Sequence, residues 1–282
     1  METRVLNLTV AGRSVPTPCD VFGEGPEALL LPALSTISAR AEMRSLAEAL
    51  GSEYRCRIPD WPGFGAHPRT RVPLEPATFH GFLDALLAAG PYALGVAAGH
   101  AAGYLVAAAR RHPQAFAQLV LVAPTWRGPL PTAMPGRAHW FPRIRRAVEA
   151  PILGEALYRI NISPPIIGRM MRAHVYADPA GVTPALVRDK HAITRQRNGR
   201  FGTAAFVTGG LDPVGSREAF LDLFAGGLPP ILVLRPEGAP RRSGTEMDAL
   251  VGSGRVTGVS VPGALSPHEE HPGAVAAAIR AA

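Results

Sequence analysis

Residues 94–103 read Leu-Gly-Val-Ala-Ala-Gly-His-Ala-Ala-Gly. The first five are apolar or small and favour a strand that is buried on both faces. Glycines at positions 99 and 103 permit a sharp turn and close packing directly after that strand. Residues 101–111 then have a helical pattern that ends in two arginines. The stretch therefore predicts a strand that passes into a helix with almost no loop between them.

Strands and helices alternate on both sides of this stretch. An antiparallel hairpin is predicted over residues 4–10 and 14–22 because the apolar residues alternate around a turn at Gly12. Short apolar runs predict strands at 28–31, 54–59, 94–98, 118–122, 231–234 and 256–261, and helical spacing predicts helices at 43–50, 76–89, 101–111, from 243, and at 272–281. This order indicates an α/β protein with a mostly parallel sheet and helices on both faces.

The alternation stops between residues 126 and 224, a stretch rich in Arg and Pro that we call the helical insertion. Helical patterns occur there at 144–152, 166–174 and 184–194. We expect it to lie as a cap over the carboxyl edge of the sheet, with residues 1–125 and 225–282 as the core domain. Asp212-Pro213 resembles a helix start with an aspartate cap, and residues 243–246 match a capping box.

Composition narrows the class of protein. The chain has 282 residues, 47% of them hydrophobic and 18% charged, which excludes disordered and collagen-like chains. Cys19 and Cys56 are the only cysteines, so we expect free buried thiols in a cytoplasmic protein without a secretory signal. Residues 85–109 carry no charge, but their glycines favour helix, strand and helix over a membrane span.

Several motifs together identify a resemblance. Residues 99–103 match the spacing of the G-x-S-x-G nucleophile elbow, residues 60–65 are similar to a D-x-P-G-F-G turn, and residues 262–272 resemble a C-terminal histidine segment. In this order they resemble the α/β-hydrolase superfamily over nearly the whole chain. The resemblance implies the α/β-hydrolase fold, with a mostly parallel sheet, flanking helices and a helical cap.

The reacting positions depart from that family. The resemblance places Ala101 where the nucleophile stands, Ala239 where the acid stands and Leu265 where the histidine stands. None of these side chains can attack a carbonyl group or accept a proton. Pro32 and Ala33 replace the His-Gly of the oxyanion loop. The chain thus resembles a subset with a degenerate catalytic triad, and conventional Ser-His-Asp hydrolysis is not expected.

The residues expected around the pocket combine these positions with nearby polar groups. His100 is either a general base or a packed residue of the turn. Trp126 and Arg127 either form a ligand wall or anchor the helical insertion. His174 and Tyr176 either face the cavity or are solvated. The candidate pocket comprises Pro32, Ala33, Ser35, His100, Ala101, Trp126, Arg127, His174, Tyr176 and Leu265.

Other polar residues favour structural roles. Asp212 fits a helix cap better than a displaced catalytic acid. Asp60 is expected to fix its own turn. His268 and His271 are expected near the surface at the start of the last helix. Residues 140–148 form an amphipathic helix with several arginines, which is explained either by packing on the core or by contact with a membrane surface.

Three functions are compared. The first is a protein that binds a small, mostly apolar ligand between core and cap. The second is an enzyme on the same fold that needs no nucleophile, such as a lyase, a cofactor-free oxygenase or an unusual hydrolase. The third, nucleic-acid binding, is motivated only by the net charge of +7 and lacks any recognition motif. We expect no metal, no cofactor and no stable membrane insertion; the ligand and the oligomeric state stay open.

Overall fold

The computed structural model describes residues 1–66, 69, 71–136 and 138–282. Eight strands form one sheet in the order β1-β2-β4-β3-β5-β6-β7-β8. The strands are β1 Glu2–Val10, β2 Arg13–Phe22, β3 Glu27–Leu31, β4 Arg55–Pro59, β5 Tyr92–Ala98, β6 Phe116–Val122, β7 Ile231–Pro236 and β8 Thr257–Val261.

The sheet is mostly parallel, as the sequence predicts. The hairpin β1–β2 is antiparallel, and β2 also pairs antiparallel with β4. All other neighbouring strands pair in parallel. The central strands are buried along almost their whole length, which explains why they are apolar without alternation.

Helices cover both faces of the sheet. Alternate residues of each central strand point to opposite faces, so the apolar core divides into two clusters, one under α2 and α3 and the other under α1 and α13. The helices are α1 Arg44–Leu50, α2 Pro76–Leu87, α3 Ala101–Arg111, α4 Pro129–Ala133, α5 Phe141–Glu149, α6 Leu153–Asn161, α7 Pro164–Met170, α8 Pro184–Thr194, α9 Gly199–Val207, α10 Arg217–Asp222, α11 Arg241–Gly252, α12 Pro267–Glu270 and α13 Pro272–Arg280.

The helical insertion holds seven helices, α4 to α10, and no strand in its described residues. Part of it has its own apolar cluster, in which Tyr158, Ile167 and Met171 pack with Ile37 of the core. A short π-helical turn, Met171–Val175, continues α7. The amphipathic segment becomes α5, which packs against α6 and α9; Phe141 is buried and Trp140 is half exposed.

Two predicted helix starts are wrong. Asp212 does not cap a helix, because α10 begins at Arg217 and is capped by the hydroxyl of Ser216. The side chain of Asp212 instead accepts a hydrogen bond from the backbone N–H of Gly128. Residues 243–246 do not form a capping box either, since α11 already begins at Arg241.

A buried guanidinium connects the hairpin to the loops beside the sheet. Arg40 donates to Asp20 of β2 at 2.8 Å and forms an ion pair with Asp60, which follows β4, at 2.5 Å. The backbone N–H of Arg40 also donates to Asp60. Asp20 also receives an ion pair from the half-exposed Arg44. Asp60 therefore connects its turn to Arg40, beyond the role within its own turn that the sequence predicts.

The structure confirms the predictions for the two cysteines and for the uncharged residues 85–109. Cys19 and Cys56 are both free and buried, and burial raises the pKa of their thiols to about 11 and about 12. The run at 85–109 divides into the end of α2, strand β5 and the start of α3. Among the described residues, no helix is long and apolar enough to cross a membrane.

We predict that Arg40→Met lowers the free energy of unfolding by about 3–5 kcal/mol, because two buried carboxylates would lose their shared cation. Arg44→Met is the matched control. It removes a partly exposed cation from the same Asp20, so it should cost about 1 kcal/mol or less. Urea denaturation of both variants measures the difference, and equal losses would contradict the bridging role of Arg40.

Candidate functional site

The strand order predicts a crevice at the carboxyl edge of the sheet. After β3 the chain crosses to β4 on one side, and after β5 it continues to β6 on the other side. In open α/β sheets such a switch of direction leaves a crevice between the carboxyl ends of the two strands, where ligands bind. The loop after β3, which starts with Pro32 and Ala33, and the turn after β5 border this crevice.

The sharp turn after β5 is at Gly99. This residue has a φ of +52°, a left-handed conformation that suits glycine. A Cβ atom there would lie 3.6 Å from the Cβ of Ala33 and 3.9 Å from the Oγ1 of Thr125, in ordinary contact. The position directly after β5 therefore faces the crevice but carries no side chain.

Ala101 does not occupy this turn, which corrects the placement made from the motif. It is the first residue of α3 and is fully buried among apolar side chains. In the nucleophile elbow the reactive residue lies on the strained turn between strand and helix. By that geometric criterion the nucleophile position is Gly99, two residues before Ala101. Gly103 instead lets α3 approach Pro213, whose Cγ would be 2.6 Å from an added Cβ.

Two backbone amides beside the turn have no partner. Within the described part of the chain, the N–H groups of Leu34 and His100 donate no hydrogen bond. Both residues are buried. Buried amides without a partner are rare in proteins because each costs free energy comparable to a lost hydrogen bond. These two can therefore donate to an acceptor atom in the crevice.

The side chain of His100, unlike its backbone N–H, already has a hydrogen-bond partner. Its Nε2 lies 2.8 Å from the carbonyl oxygen of Leu211, which also accepts from the Tyr104 hydroxyl. Burial lowers the pKa of His100 to about 4, so the ring is neutral at physiological pH and donates through Nε2. This arrangement fits a packed residue of the turn, which is one of the two alternatives that the sequence leaves open.

Asp212 lies beside that ring. Its Oδ1 is 3.4 Å from Nε2 of His100 and 2.8 Å from the N–H of Gly128 that donates to it. Burial raises the pKa of Asp212 to about 7. Its Asp-Pro sequence signal indicates a cap, so sequence reasoning did not place this carboxyl group against the turn.

A second polar group lies between the core and the helical insertion. We call Glu42, Tyr176, Lys190, His268 and Glu269 the acid–base cluster. The ammonium of Lys190 is 2.8 Å from Glu269 and 3.9 Å from Glu42. Nε2 of His268 lies 3.6 Å from Glu42, beyond hydrogen-bond distance. The Tyr176 hydroxyl and both ring nitrogens of His268 are buried without a hydrogen bond.

Burial in this cluster opposes charge, but the charged groups stabilise one another. Despite burial, His268 and Lys190 hold the pKa of Glu42 below its usual value. Despite burial, Glu269 and Glu42 hold the pKa of Lys190 above its usual value. The result is a buried ammonium between two carboxylates, with the His268 imidazole 3.6 Å from one of them and without a hydrogen bond.

The position of His268 overturns the expectation that it is near the surface. Its side chain is fully buried, whereas His271 is exposed as expected. Glu42 also accepts a hydrogen bond from the N–H of Ala33, so the cluster lies directly behind the loop that borders the crevice. Ligand atoms of Glu42, His268 and Glu269 lie within 4.8 Å of one another, but Lys190 already supplies the positive charge there.

Comparison with known proteins is consistent with this geometry. A model described as the alpha/beta hydrolase family matches residues 29–278. The chain belongs to the α/β hydrolase family. Among proteins with curated functions, none matches the sequence.

Several solved structures share the fold at low sequence identity. An esterase from Thermogutta terrifontis is 20% identical with a TM-score of 0.71, covering 100% of this chain and 97% of the other. Cfl2 from Burkholderia cenocepacia is 20% identical with a TM-score of 0.73, covering 99% and 94%. A bromoperoxidase from Bacillus anthracis is 13% identical with a TM-score of 0.72, covering 99% of each chain.

In this α/β hydrolase, Trp126 and Arg127 contact helices rather than the acid–base cluster. The Trp126 indole N–H donates to Glu246 of α11 at 3.1 Å, and its ring stacks on Phe220 of α10. Arg127 lies 4.3 Å above the Trp126 ring and pairs with the same glutamate. These contacts fit the anchoring alternative for both residues.

The remaining predicted pocket residues of the hydrolase fold are dispersed. Leu265 and Ala239 are half-buried and follow β8 and β7, and the carbonyl of the buried Pro32 accepts from the Trp61 indole. The hydroxyls of Ser35 and Ser38 are hydrogen-bonded to each other. His174 is exposed, so the structure brings Tyr176 but not His174 into the interior.

We predict that Asp212→Asn changes how stability depends on pH. The ordinary pKa of 3.8 applies in the unfolded chain and about 7 in the folded one, so the wild type loses stability as pH rises between these values. The loss should reach about 2–4 kcal/mol, and the variant should lack it.

Urea denaturation across this pH range measures the effect, with Asp189→Asn on the exposed surface of α8 as the control. A wild type and an Asp212→Asn variant with parallel stability profiles would contradict the raised pKa.

Proposed function

We propose that this protein is a non-conventional member of the α/β hydrolase family. It binds a small, mostly apolar ligand in the crevice between the core and the helical insertion, and it forms no covalent intermediate with that ligand. The observation that carries this proposal is the turn after β5. Gly99 occupies it with a φ of +52°, and a glycine offers no atom that can attack a substrate.

The other reacting positions support the same conclusion. Ala239 follows β7 and Leu265 follows β8, so neither loop supplies a proton acceptor at the place expected from the family pattern. Burial lowers the pKa of His100 to about 4 and its Nε2 is hydrogen-bonded to Leu211, so its imidazole is a weak proton acceptor and a poor replacement for the missing base. Solved relatives include an esterase and a bromoperoxidase, but their low identity supports a shared fold and not a shared reaction.

The crevice still offers features that suit a ligand. Pro32 and Ala33 of the bordering loop supply apolar atoms, and the unpaired amides of Leu34 and His100 supply two hydrogen-bond donors. A mostly apolar molecule with one oxygen acceptor, such as a carbonyl compound, matches this combination. Placing that oxygen against the two amides would satisfy donors that otherwise remain unpaired.

We predict that the wild-type protein neither hydrolyses activated esters above background nor is labelled by a serine-directed fluorophosphonate, because the turn holds no nucleophile. Intact-protein mass spectrometry measures labelling, and p-nitrophenyl acetate measures turnover. Stoichiometric labelling with matching turnover would overturn the proposal.

Native mass spectrometry of freshly purified protein tests whether a ligand is bound. The binding role would be contradicted if no small molecule is released and small carbonyl compounds do not stabilise the protein.

Two restored triads form a matched pair for this experiment. Gly99→Ser/Ala239→Asp/Leu265→His places a hydroxyl on the turn, whereas Ala101→Ser/Ala239→Asp/Leu265→His places it inside buried α3. We expect labelling of the first above the second, although serine at a left-handed φ costs about 1–2 kcal/mol. Circular dichroism confirms folding of both. Stronger labelling of the second would place the nucleophile position at Ala101 after all.

The acid–base cluster favours a second candidate, an enzyme that needs no nucleophile. His268 and Tyr176 hold buried polar atoms without a hydrogen bond, and Glu42 connects them to the loop after β3. An imidazole and a phenol next to a buried ammonium can exchange or donate protons to a bound substrate. This chemistry suits a lyase or a cofactor-free oxygenase.

The two candidates are separated by turnover. If the second is correct, the wild type should convert a member of a panel of small β-keto acids or hydroxylated aromatics, and His268→Gln or Tyr176→Phe should reduce kcat at least about tenfold. Arg169→Gln, an exposed change in the helical insertion, is the control. Equal rates in all four proteins would remove this candidate.

A further inference from the structure

The helical insertion contains a cleft with a strong excess of positive charge. It encloses about 390 Å³ and lies between α6, the segment 194–198 and the start of α9. We call it the arginine cleft, after the five arginines that line it: Arg71, Arg159, Arg195, Arg197 and Arg200. Among the described residues that line it, Glu155 is the only one with an acidic side chain.

That single carboxylate leaves most of the positive charge uncompensated. Glu155 forms ion pairs with Arg159 and Arg200, each at 2.9 Å. Among the described residues, Arg195 and Arg197 have exposed side chains and no ion pair. Within the described residues, the Arg71 guanidinium donates one hydrogen bond, to the side-chain oxygen of Asn198 at 3.4 Å, and forms no ion pair. Three guanidinium groups in one concave site are therefore without a carboxylate.

The site is held in place before any ligand arrives. The ring of Phe201 lies between two of the guanidinium groups, 5.2 Å from that of Arg71 and 4.7 Å from that of Arg200. Stacking on an aromatic ring fixes the plane of a guanidinium and lowers the entropy lost on binding. Nε of Arg200 is buried and has no hydrogen-bond partner.

Arg69 strengthens the positive field beneath this site. Its guanidinium is buried and donates only to the carbonyls of Gly65, Ile193 and Gly199, while its Nε stays unpaired. The backbone of Arg69 is hydrogen-bonded to Asn198 and to the carbonyl of Arg197. A buried cation without a bonded carboxylate is costly, and an anion nearby reduces that cost.

The start of α9 adds the positive end of a helix dipole to the same cleft. Gly199, the first residue of α9, lines it, and Asn198 has a left-handed φ of +66° without capping the helix through its side chain. The N–H groups of Gly199 and Phe201 already donate to the carbonyls of Gln196 and Asn198, but the helix dipole still gives this end a partial positive charge that favours an anion. Because guanidinium groups match phosphate oxygens in pairs, we propose that the arginine cleft binds a phosphate-bearing ligand.

The ligand could come from two sources with the same chemistry, namely a soluble phosphorylated molecule or the headgroup of an anionic lipid. The two faces of α6 bear on this choice. Glu155, Tyr158 and Arg159 face the cleft, whereas Leu153, Leu157 and Ile160 lie on the exposed side. Exposed apolar residues beside a basic site are typical of helices that rest on membrane surfaces.

Isothermal titration with inorganic pyrophosphate at low ionic strength tests the site. We expect saturable binding by the wild type and at least about tenfold weaker binding by Arg195→Gln/Arg197→Gln, since this variant loses two guanidinium groups that can form charge-assisted hydrogen bonds with the anion. Arg169→Gln/Arg188→Gln removes the same charge from exposed parts of α7 and α8, and its affinity should change less than about twofold. No saturable binding to the wild type, or equal weakening in both variants, would overturn the proposal.

Vesicle sedimentation separates the two sources. Phosphatidylcholine vesicles with and without phosphatidic acid are compared, using the wild type and Leu153→Asn/Ile160→Asn. Binding that requires phosphatidic acid, is displaced by pyrophosphate and is weakened in this variant supports a lipid headgroup. Pyrophosphate binding without vesicle binding supports a soluble ligand. Because the reacting positions are unaltered in these variants, failure here leaves the proposed function of the crevice intact.

Discussion

The rest of the site depends on the ion pairs that the guanidinium of Arg40 forms with two buried carboxylates. This guanidinium lies between Asp20 of β2 and Asp60 after β4, and therefore joins the antiparallel hairpin to the parallel part of the sheet. The same segment supplies Glu42, which accepts from the N–H of Ala33 and lies near Lys190. Neutralising two buried carboxylates through one cation fixes the loop after β3, and this loop forms one wall of the crevice.

The crevice differs from a serine hydrolase site in the kind of group it presents. The turn after β5 keeps the left-handed backbone that the family uses to expose a reactive side chain, but glycine leaves it without that side chain. Buried polar groups lie instead in the acid–base cluster, behind the loop after β3, where an ammonium, two carboxylates and an imidazole are close together. The fold has thus retained the geometry of its switch point with different functional groups around it.

Much of the core was predictable because its signals are local. The apolar runs gave the central strands, and the predicted bounds of α3 and α8 match the structure. Helix α9 was missed because it contains Gly199 and Gly202, which are weak helix formers. The structure explains both: a Cβ on Gly199 would lie 2.8 Å from the carbonyl oxygen of Thr194, and one on Gly202 would lie 2.7 Å from the carbonyl oxygen of the distant Gly63. The second constraint comes from a distant segment and leaves no periodic pattern in the sequence.

The site was harder to predict for related reasons. Glycines at 99 and 103 fit the elbow spacing, but spacing alone does not show which residue takes the left-handed φ, so the reactive position was placed at Ala101 instead of Gly99. His268 follows Leu265 by three residues, and nothing local indicates that it meets Glu42, which is far away in sequence. A motif therefore located the crevice, while the tertiary contacts determined which side chains surround it.

Lys190 has a practical consequence of a different kind. It is the only lysine of the chain, and its ammonium is buried between Glu42 and Glu269. An amine-directed reagent thus has a single side chain to modify, and it can reach that side chain only while α8 is separated from the core. The rate of Lys190 modification then reports how often this part of the helical insertion separates from the core.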